Sequence, residues 1–541
     1  MAGTRQQEWW RGACIYQIYP RSFLDTNGDG IGDLNGIVEK LDYVASLGVD
    51  GVWISPFFRS PMKDFGYDVS DYRDIDPMFG TLEDFDRLVD RAHALDLKVI
   101  IDQVYSHTSD QHAWFEESRQ SRDNPKSDWY IWADARNDGS PPNNWQSIFT
   151  CPAWTWDARR QQYYMHNFLA EQPDLNLHNP EVQNALLDVA RFWLDRGVDG
   201  FRLDAINCGM HDPQLRDNPP APEELRRETR PSFMQLPKYN MCHDDIPLVL
   251  ERLRLVTNEY GEVFTVAEVG TADPLPLMKD YTHGAHRLNT AYGFEFLLTS
   301  ELTAERVIEI LSGWPGETDE GWPSWAFSNH DAPRVASRWL QNLDLDHRAR
   351  LIALLQFALR GNIFIYQGEE LGLTQANVPY EELQDPEALA NWPHTLGRDG
   401  ARTPMPWKHN GAHAGFSDAE KPWLPVDEAH ERQAVAIQQD DPGSMLGHFR
   451  RLIALRRASP ALKWGELEFL RARDDVLAFT RTFGSENAFC VFNLSADTVH
   501  WRPQAATAAR VVAAVSVDAP ATGVPDELPP FSGYIGVAGN D

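Results

Sequence analysis

The sequence predicts a (β/α)8 barrel of the TIM type, with a domain inserted after the third strand and an antiparallel β domain at the C-terminal end. Three observations carry this. Short, nearly continuous apolar runs alternate with segments whose apolar residues recur at helical spacing, the pattern of parallel strands covered on both faces by helices. The alternation supplies eight strand–helix units within 541 residues, broken once by a long polar and aromatic stretch. From about residue 462 it gives way to short alternating strands. The expected parts are 1–104 and 179–460 for the barrel, 105–178 for the inserted domain and 461–541 for the C-terminal domain, with a second insertion at about 369–440 after strand eight.

Each element has its own reason. Cys14 to Pro20 alternates and reads as strand one. Leu34, Ile37, Leu41 and Val44 share one helical face, and Gly48 ends that helix. Gly51 to Pro56 is strand two. Thr81 and Asp84 form a capping box for a helix that turns Leu82, Phe85 and Val89 inward. Lys98 to Val104 is strand three. Asn179 and Pro180 start a helix with Val182, Leu186, Val189 and Trp193 on one face, closed by Gly197. Gly200 to Asn207 contains strand four. A Pro-rich loop spans 208–245, and a helix near 246–259 leads to strand five, Val263–Val269. Phe294–Leu298 is expected as strand six, Trp325–Asn329 as strand seven and Asn362–Gln367 as strand eight. The helix before strand eight runs from Asp346 to Arg360, and Ser444 caps a last barrel helix through Arg457. Val476–Thr480 and Ala488–Phe492 read as strands of the C-terminal domain.

Charge and cysteine content narrow the function. The net charge is −31, from 80 acidic and 49 basic residues, so nucleic acid and anionic membranes are poor partners. The 19 Trp and 16 Tyr suit aromatic-lined carbohydrate surfaces, although a large barrel buries many aromatics in any case. The cysteines, Cys14, Cys151, Cys208, Cys242 and Cys490, are odd in number and widely spaced, which favours free thiols in a reducing compartment over zinc. The first residues lack a signal-peptide core and no window has membrane-spanning length, so a cytoplasmic protein is expected, as a monomer or small homo-oligomer.

The chemistry collects where polar residues interrupt or follow apolar strands. Strand three offers Asp102 and His107, strand four Arg202 and Asp204, strand five Glu268, and strand seven His330 and Asp331. Arg202 and Asp204 lie two apart and face the same way. A buried Arg–Asp pair is more often structural than catalytic. Three carboxylates at one barrel mouth change that balance, because like charges repel and are costly to gather without a use. One carboxyl with a raised pKa beside an ionised one is the arrangement of glycoside cleavage. Asp25, Asn27, Asp29 and Asp33 place oxygens at alternate loop positions, which suits a hard cation such as Ca²⁺ or Mg²⁺; the alternative is an Asn/Asp/Gly turn capping the next helix.

The motifs Asp102-Gln-Val-Tyr-Ser-His107, Gly200-Phe-Arg-Leu-Asp204, Ala267-Glu268-Val269 and Ser328-Asn-His-Asp331 resemble the conserved regions of the α-amylase family of retaining glycosidases, glycoside hydrolase family 13. Gln172-Pro-Asp-Leu-Asn176 resembles its α-glucosidase and oligo-1,6-glucosidase branch. Phe65-Gly-Tyr-Asp-Val69, Gly368-Glu-Glu-Leu-Gly372 and Ala401-Arg-Thr-Pro-Met-Pro-Trp407 agree, so the likeness runs through nearly the whole chain in order. It implies Asp204 as the nucleophile, Glu268 as the acid and base, and Asp331 as the group that stabilises the oxocarbenium-like transition state. Arg202 would hold Asp204 ionised, His107 and His330 would bond sugar hydroxyls, and Tyr67 would stack on the glucose. Asp64 would close the pocket at the non-reducing end, with Arg402 as its matching partner and Arg398 nearby.

That likeness implies an exo-acting α-glucosidase on short α-glucosides, with glucosyl transfer to acceptor alcohols or sugars. Ala205 follows the nucleophile; a bulky Val there accompanies α-1,6 activity in this branch, so Ala205 leans towards α-1,4 or broad preference. The relatives carry a structural metal in the loop at Asp25, to which Ile31 would lend its carbonyl. Ser106 departs from the usual Asn, which puts a second, interdomain calcium in doubt, and Thr150-Cys151-Pro152 departs from a Gly-rich turn. The alternatives are a sucrose-isomerising or trehalose-forming relative and, more distantly, a non-catalytic transporter subunit, which needs an anchor and commonly loses the catalytic set.

Overall fold

The apolar runs become the staves of a closed parallel barrel. The computed structural model describes residues 8–149, 152–226, 231–314, 321–395, 397–470, 476–520 and 523–539. The strands are β1 (Cys14–Ile18), β2 (Gly51–Ile54), β3 (Lys98–Val104), β4 (Gly200–Asp204), β5 (Phe264–Val269), β6 (Thr290–Gly293), β7 (Trp322–Ala326) and β8 (Asn362–Tyr366). Each pairs in parallel with its sequence neighbours, and β8 closes on β1. Ile15, Trp53, Ile100, Val266, Tyr292 and Phe364 belong to one buried cluster of strand residues. The helix residues Ile37, Leu41, Phe85, Leu88, Val189 and Trp193 form the larger cluster around it.

Local signals act as read from the sequence. Thr81 and Asp84 make the reciprocal capping box of the helix Leu82–Ala94. Asn179 caps Pro180–Asp195, with proline at its first turn, and Ser444 caps Met445–Ala458. Strand six is corrected: Phe294–Leu298 is not a stave, and Glu295–Leu298 is a short helix. The stave is Thr290–Gly293, which pairs with Val266–Val269. A short apolar run buries its side chains equally well from a helical turn, as Phe296 and Leu297 do. Strand seven lies earlier than expected, ending at Ala326 instead of Asn329.

Between β3 and the helix at Pro180 the chain forms a helix, Ala113–Ser118, and a small antiparallel sheet whose central strand is Gln162–Met165. Beyond β8 come short helices. The C-terminal strands Glu466–Phe469, Val476–Phe483, Glu486–Asn493, Ser532–Ala538 and Arg510–Val515 form one antiparallel sheet in that spatial order. Cys14, Cys208, Cys242 and Cys490 are free thiols; Cys151 lies outside the described residues.

Gly200, at the start of β4, is a point of close approach between neighbouring staves. A Cβ there would sit 2.7 Å from the Phe264 carbonyl oxygen and 3.2 Å from Ile100. Gly200→Val should therefore lower the thermal midpoint by at least about 3 °C, although valine favours strands. An unchanged midpoint by calorimetry would show that the staves can part there at no cost.

Candidate active site

Strand register assembles the centre. Asp102 on β3 lies level with Arg202 on β4, Arg202 with Val266 on β5, and Glu268 on β5 with Tyr292 on β6. Arg202 is fully buried. Its Nη1 donates to Asp102 Oδ1 and to Asp204 Oδ1, both at 2.6 Å. Its Nη2 forms an ion pair with Glu268 Oε1 and donates to Tyr292 Oη at 3.0 Å. Tyr292 in turn donates to Glu268 Oε1 at 3.0 Å. The Ala205 N–H donates to Glu268 Oε2 at 3.0 Å, so the residue after Asp204 is fastened to the second carboxylate. Ala205 makes this contact from a left-handed conformation, φ 37° and ψ 41°, which a small side chain tolerates better than a β-branched one.

Three carboxylates share one guanidinium, and this fixes the electrostatics. Burial pushes Asp102 up to about 6 against the pull of Arg202. Burial also pushes Asp204 well above the usual carboxylate range; Arg202 opposes this and Glu268 adds to it. Arg202 reaches Asp204 as expected, and the same cation also serves Asp102 and Glu268, so its charge is shared among three carboxyls. One positive charge against three acids favours a retained proton within the group.

Asp331 is set apart. Asn329 Oδ1 accepts from the Asp331 and Ala332 N–H groups at 2.9 and 2.8 Å and so shapes the turn after β7. Asp331 Oδ1 accepts from Arg402 Nη2 at 2.7 Å and lies 3.3 Å from Arg398 Nη1. Its side chain is 23 % exposed, more open than Asp204 or Glu268. Burial alone would raise its pKa, but His330, which is charged only at low pH, together with Arg402 and Arg398 outweighs that and holds the carboxyl well below its ordinary range.

The remaining expected residues surround this centre. His330 stacks on Tyr67 with ring centroids 5.4 Å apart. Its Nδ1 meets Gln17 Nε2 at 2.8 Å and its Nε2 meets Tyr67 Oη at 2.6 Å. His107 contacts Ser106 Oγ through Nδ1 at 2.9 Å, and through Nε2 the Tyr67 carbonyl and Gln172 Nε2, both at 3.1 Å. Burial lowers His107 to about 4 and His330 to about 3, so both imidazoles are neutral near pH 7.

Asp64 pairs with Arg398 Nη2 at 2.8 Å and accepts from Gln172 Nε2 at 3.2 Å. The assignment of Arg402 as its partner is corrected. Arg398 is drawn to Asp64 and Asp385, whereas Arg402, four residues on, reaches Asp331 and the His330 carbonyl. Sequence reasoning passed over Tyr292, Arg398 and Gln172 as site residues. Gln172 lies in a quoted motif, Arg398 was named beside Arg402, and Tyr292 was hidden by the misplaced sixth strand.

The loop 25–33 brings together oxygen donors of the kind a hard cation takes. Asp25 Oδ1 accepts from the Asn27 and Gly28 N–H groups, Asp29 Oδ1 from Ile31 N–H, and Asp33 caps the helix at Leu34. These bonds also satisfy the turn-capping alternative. Among the described residues no three His, Cys, Asp or Glu side chains form a ready ligand cluster.

The model of the α-amylase catalytic domain matches residues 17–465. The chain belongs to the α-amylase family. The chain is 54% identical over 496 residues to a probable α-glucosidase of Rhizobium meliloti (strain 1021), covering 90% of each. It is 39% identical over 529 residues to an oligo-1,6-glucosidase of Heyndrickxia coagulans, covering 91% of this chain and 93% of that one. Among solved structures, an α-glucosyl transfer enzyme, XgtA, superposes with a TM-score of 0.92 at 48% identity, covering 99% of this chain and 100% of that one. Isomaltulose synthase from Erwinia rhapontici NX5 gives 0.88 at 32%, covering 98% and 99%. This member of the family is accordingly a glycoside hydrolase with α-glucosidase and oligo-1,6-glucosidase relatives. No helix among its described residues is long and apolar enough to cross a membrane.

Burial of neutral imidazoles has a consequence for pH. His107, His112 and His330 are held at about 4, 3 and 3 in the fold, each chiefly by burial. The unfolded chain protonates them below about 6.5. Below that pH the unfolded state binds more protons, so this stability is lost as pH falls from about 6.5 towards 4 and 3. His112 caps the helix Ala113–Ser118 by accepting from the Trp114 N–H. His112→Asn keeps a capping acceptor without the titrating ring. Its thermal midpoint should fall less steeply between pH 6.5 and 4.5 than that of the wild type; an equal slope would rule out His112 as a contributor.

Proposed function

We propose that this glycoside hydrolase is an exo-acting, retaining α-glucosidase that releases terminal α-glucose from short α-glucosides and also passes glucose to alcohols or sugars. The observation that carries the reading is the fastening of Asp204 and Glu268 to one guanidinium, with Glu268 also on the N–H of Ala205. Two carboxyls so tied favour the short spacing of double displacement, about 5–5.5 Å, over the roughly 6.5–9.5 Å that leaves room for a directly attacking water.

In this mechanism Asp204 attacks the anomeric carbon while Glu268 gives its proton to the departing glycosidic oxygen. The proton retained among the clustered carboxyls is the one this step uses. Glu268, now ionised, takes a proton from water or an acceptor hydroxyl, whose oxygen displaces Asp204 and restores the α configuration. Asp331, held ionised by its arginines, binds hydroxyls of the reacting glucose and favours the cationic transition state. The neutral rings of His107 and His330 each carry one N–H, which a sugar hydroxyl would take over from its present partner on Tyr67. Tyr67 presents the sugar-facing ring, and the Asp64–Arg398 pair closes the far end, which favours removal of one glucose at a time.

Ala205 supports an α-1,4 or broad preference. Sucrose isomerisation, the activity named for some solved neighbours, would use the same first half-reaction and return fructose as the acceptor.

With maltose, proton NMR should show α-glucose as the first-formed anomer, and an added alcohol should divert product to an alkyl α-glucoside. Asp204→Asn should lower kcat by at least about 10⁴-fold with the fold retained. First-formed β-glucose, or near wild-type turnover by that variant, would overturn the reading. Isomaltulose or trehalulose from sucrose would favour isomerisation instead.

We also propose a structural Ca²⁺ or Mg²⁺ in the loop 25–33, held by Asp25, Asn27, Asp29, the Ile31 carbonyl and Asp33. The Asp29 oxygens accept one bond each and keep lone pairs for a cation; both Asp25 oxygens already accept two, from the Asn27, Gly28 and Gly30 N–H groups and Ser417 Oγ, so a cation would displace some of these bonds. A chelator should lower the thermal midpoint by several degrees, and Ca²⁺ or Mg²⁺ should restore it; a midpoint indifferent to both would dismiss the metal.

A further inference from the structure

The segment Gly368-Glu369-Glu370 after β8 has no part in the mechanism above, yet it lies beneath the chain that carries Asp331. We propose that Arg334 is a positioning residue for Asp331, braced from behind by Glu369 and Gln356 through one water in a small internal cavity. The proposal rests on the reading of Asp331 as a group that binds the reacting sugar.

Arg334 stands three residues after Asp331 and is buried. Its Nη1 donates to the Gln367 carbonyl at 2.9 Å and its Nη2 to the Ala401 carbonyl at 3.0 Å. Ala401 precedes Arg402, whose guanidinium bonds Asp331 Oδ1. The Tyr366 ring lies 4.8 Å from the Arg334 guanidinium, and the Tyr366 hydroxyl donates to the same Ala401 carbonyl at 3.0 Å. The Arg334 backbone N–H donates to Gln375 Oε1 at 2.9 Å. One planar group therefore ties the Asp331 turn to the end of β8 and to the helical turn holding the arginine that Asp331 needs.

One nitrogen of that group is left without a partner. Arg334 Nε has no protein partner, nor has Glu369 Oε1 or Gln356 Oε1. These side chains are 2 %, 7 % and 0 % exposed. All three residues line one cavity of about 10 Å³, together with Ser328 and Val335 of the Asp331 segment. That volume holds about one water, and buried waters make about three hydrogen bonds. The inventory matches: a water would accept from Arg334 Nε–H and donate to Gln356 Oε1. Burial pushes Glu369 up to about 8, so its carboxyl is neutral at pH 7; Oε2 accepts from the Tyr366 N–H at 3.2 Å, which leaves the proton on Oε1 to be donated to the water. The guanidinium disfavours a cation in this space.

The test uses the full chain with Arg334→Lys, Glu369→Gln and Glu369→Met, each alone and combined with Asp331→Asn. Measurements are kcat/KM on p-nitrophenyl α-glucoside, thermal midpoint and circular dichroism. Glu369→Gln keeps a donor and an acceptor and should lose less than about threefold. Arg334→Lys and Glu369→Met should each lose about tenfold or more at unchanged helicity, and should lose nothing further once Asp331 is Asn, because groups acting through one residue are not additive. Full additivity, or losses that merely follow a falling midpoint, would overturn the brace. If Asp331→Asn alone costs less than about tenfold, the reading of Asp331 fails instead. Should Arg334→Lys and Glu369→Met not fold, a high-resolution wild-type crystal structure decides: a water on all three atoms supports the proposal, and its absence overturns it.

Discussion

A fully buried guanidinium facing carboxylates from three neighbouring staves is the constraint on which the rest of the site depends. Removing one partner of a buried ion pair typically costs about 3–5 kcal/mol, because the other charge is left without water or a counter-ion. Arg202 cannot be moved without stranding Asp102, Asp204 and Glu268 together. The barrel supplies what this requires: parallel register that brings the strand ends level, and a lining of aromatics, Trp53 and Tyr292 among them, that keeps water out and supplies donors. The catalytic tension is therefore built into the staves, and the loops beyond them add recognition.

Much of this was legible in the sequence, for physical reasons. A charged residue within an apolar strand is costly, so Arg202, Asp204 and Glu268 stand out without any structure. The capping box at Thr81 and the Asn–Pro start at Asn179 are local chemistry and appear as read. Longer-range choices were not legible. Phe294–Leu298 satisfies a buried strand or a buried helical turn equally, and only pairing with β5 decides that Thr290–Gly293 is the stave. That one misplacement concealed Tyr292, which sits level with Glu268. Arg398 and Arg402 both suit a pocket carboxylate, and distance along the chain cannot say which reaches Asp64. The sharing of Arg202 among three acids is likewise a property of three dimensions.

The two acid environments at the mouth divide the labour of the proposed reaction. Asp331 is opened to the pocket and surrounded by arginines, so it stays ionised without help. Asp204 and Glu268 are crowded against Asp102 and must share what positive charge there is. A site that needs one proton in motion and one steady negative charge obtains both from the placement of arginines, with Arg398 and Arg402 at the rim and Arg202 in the floor.

The left-handed turn at Ala205 has an evolutionary consequence. Its backbone N–H anchors Glu268, and in the proposed reading its side chain bears on linkage preference. A larger residue at this point would alter the pocket and strain the backbone that orients the acid, a cost of order 1–3 kcal/mol. Changes of substrate range through this position are thus tied to thermal robustness, and a lineage exploring them would need stabilising substitutions elsewhere beforehand.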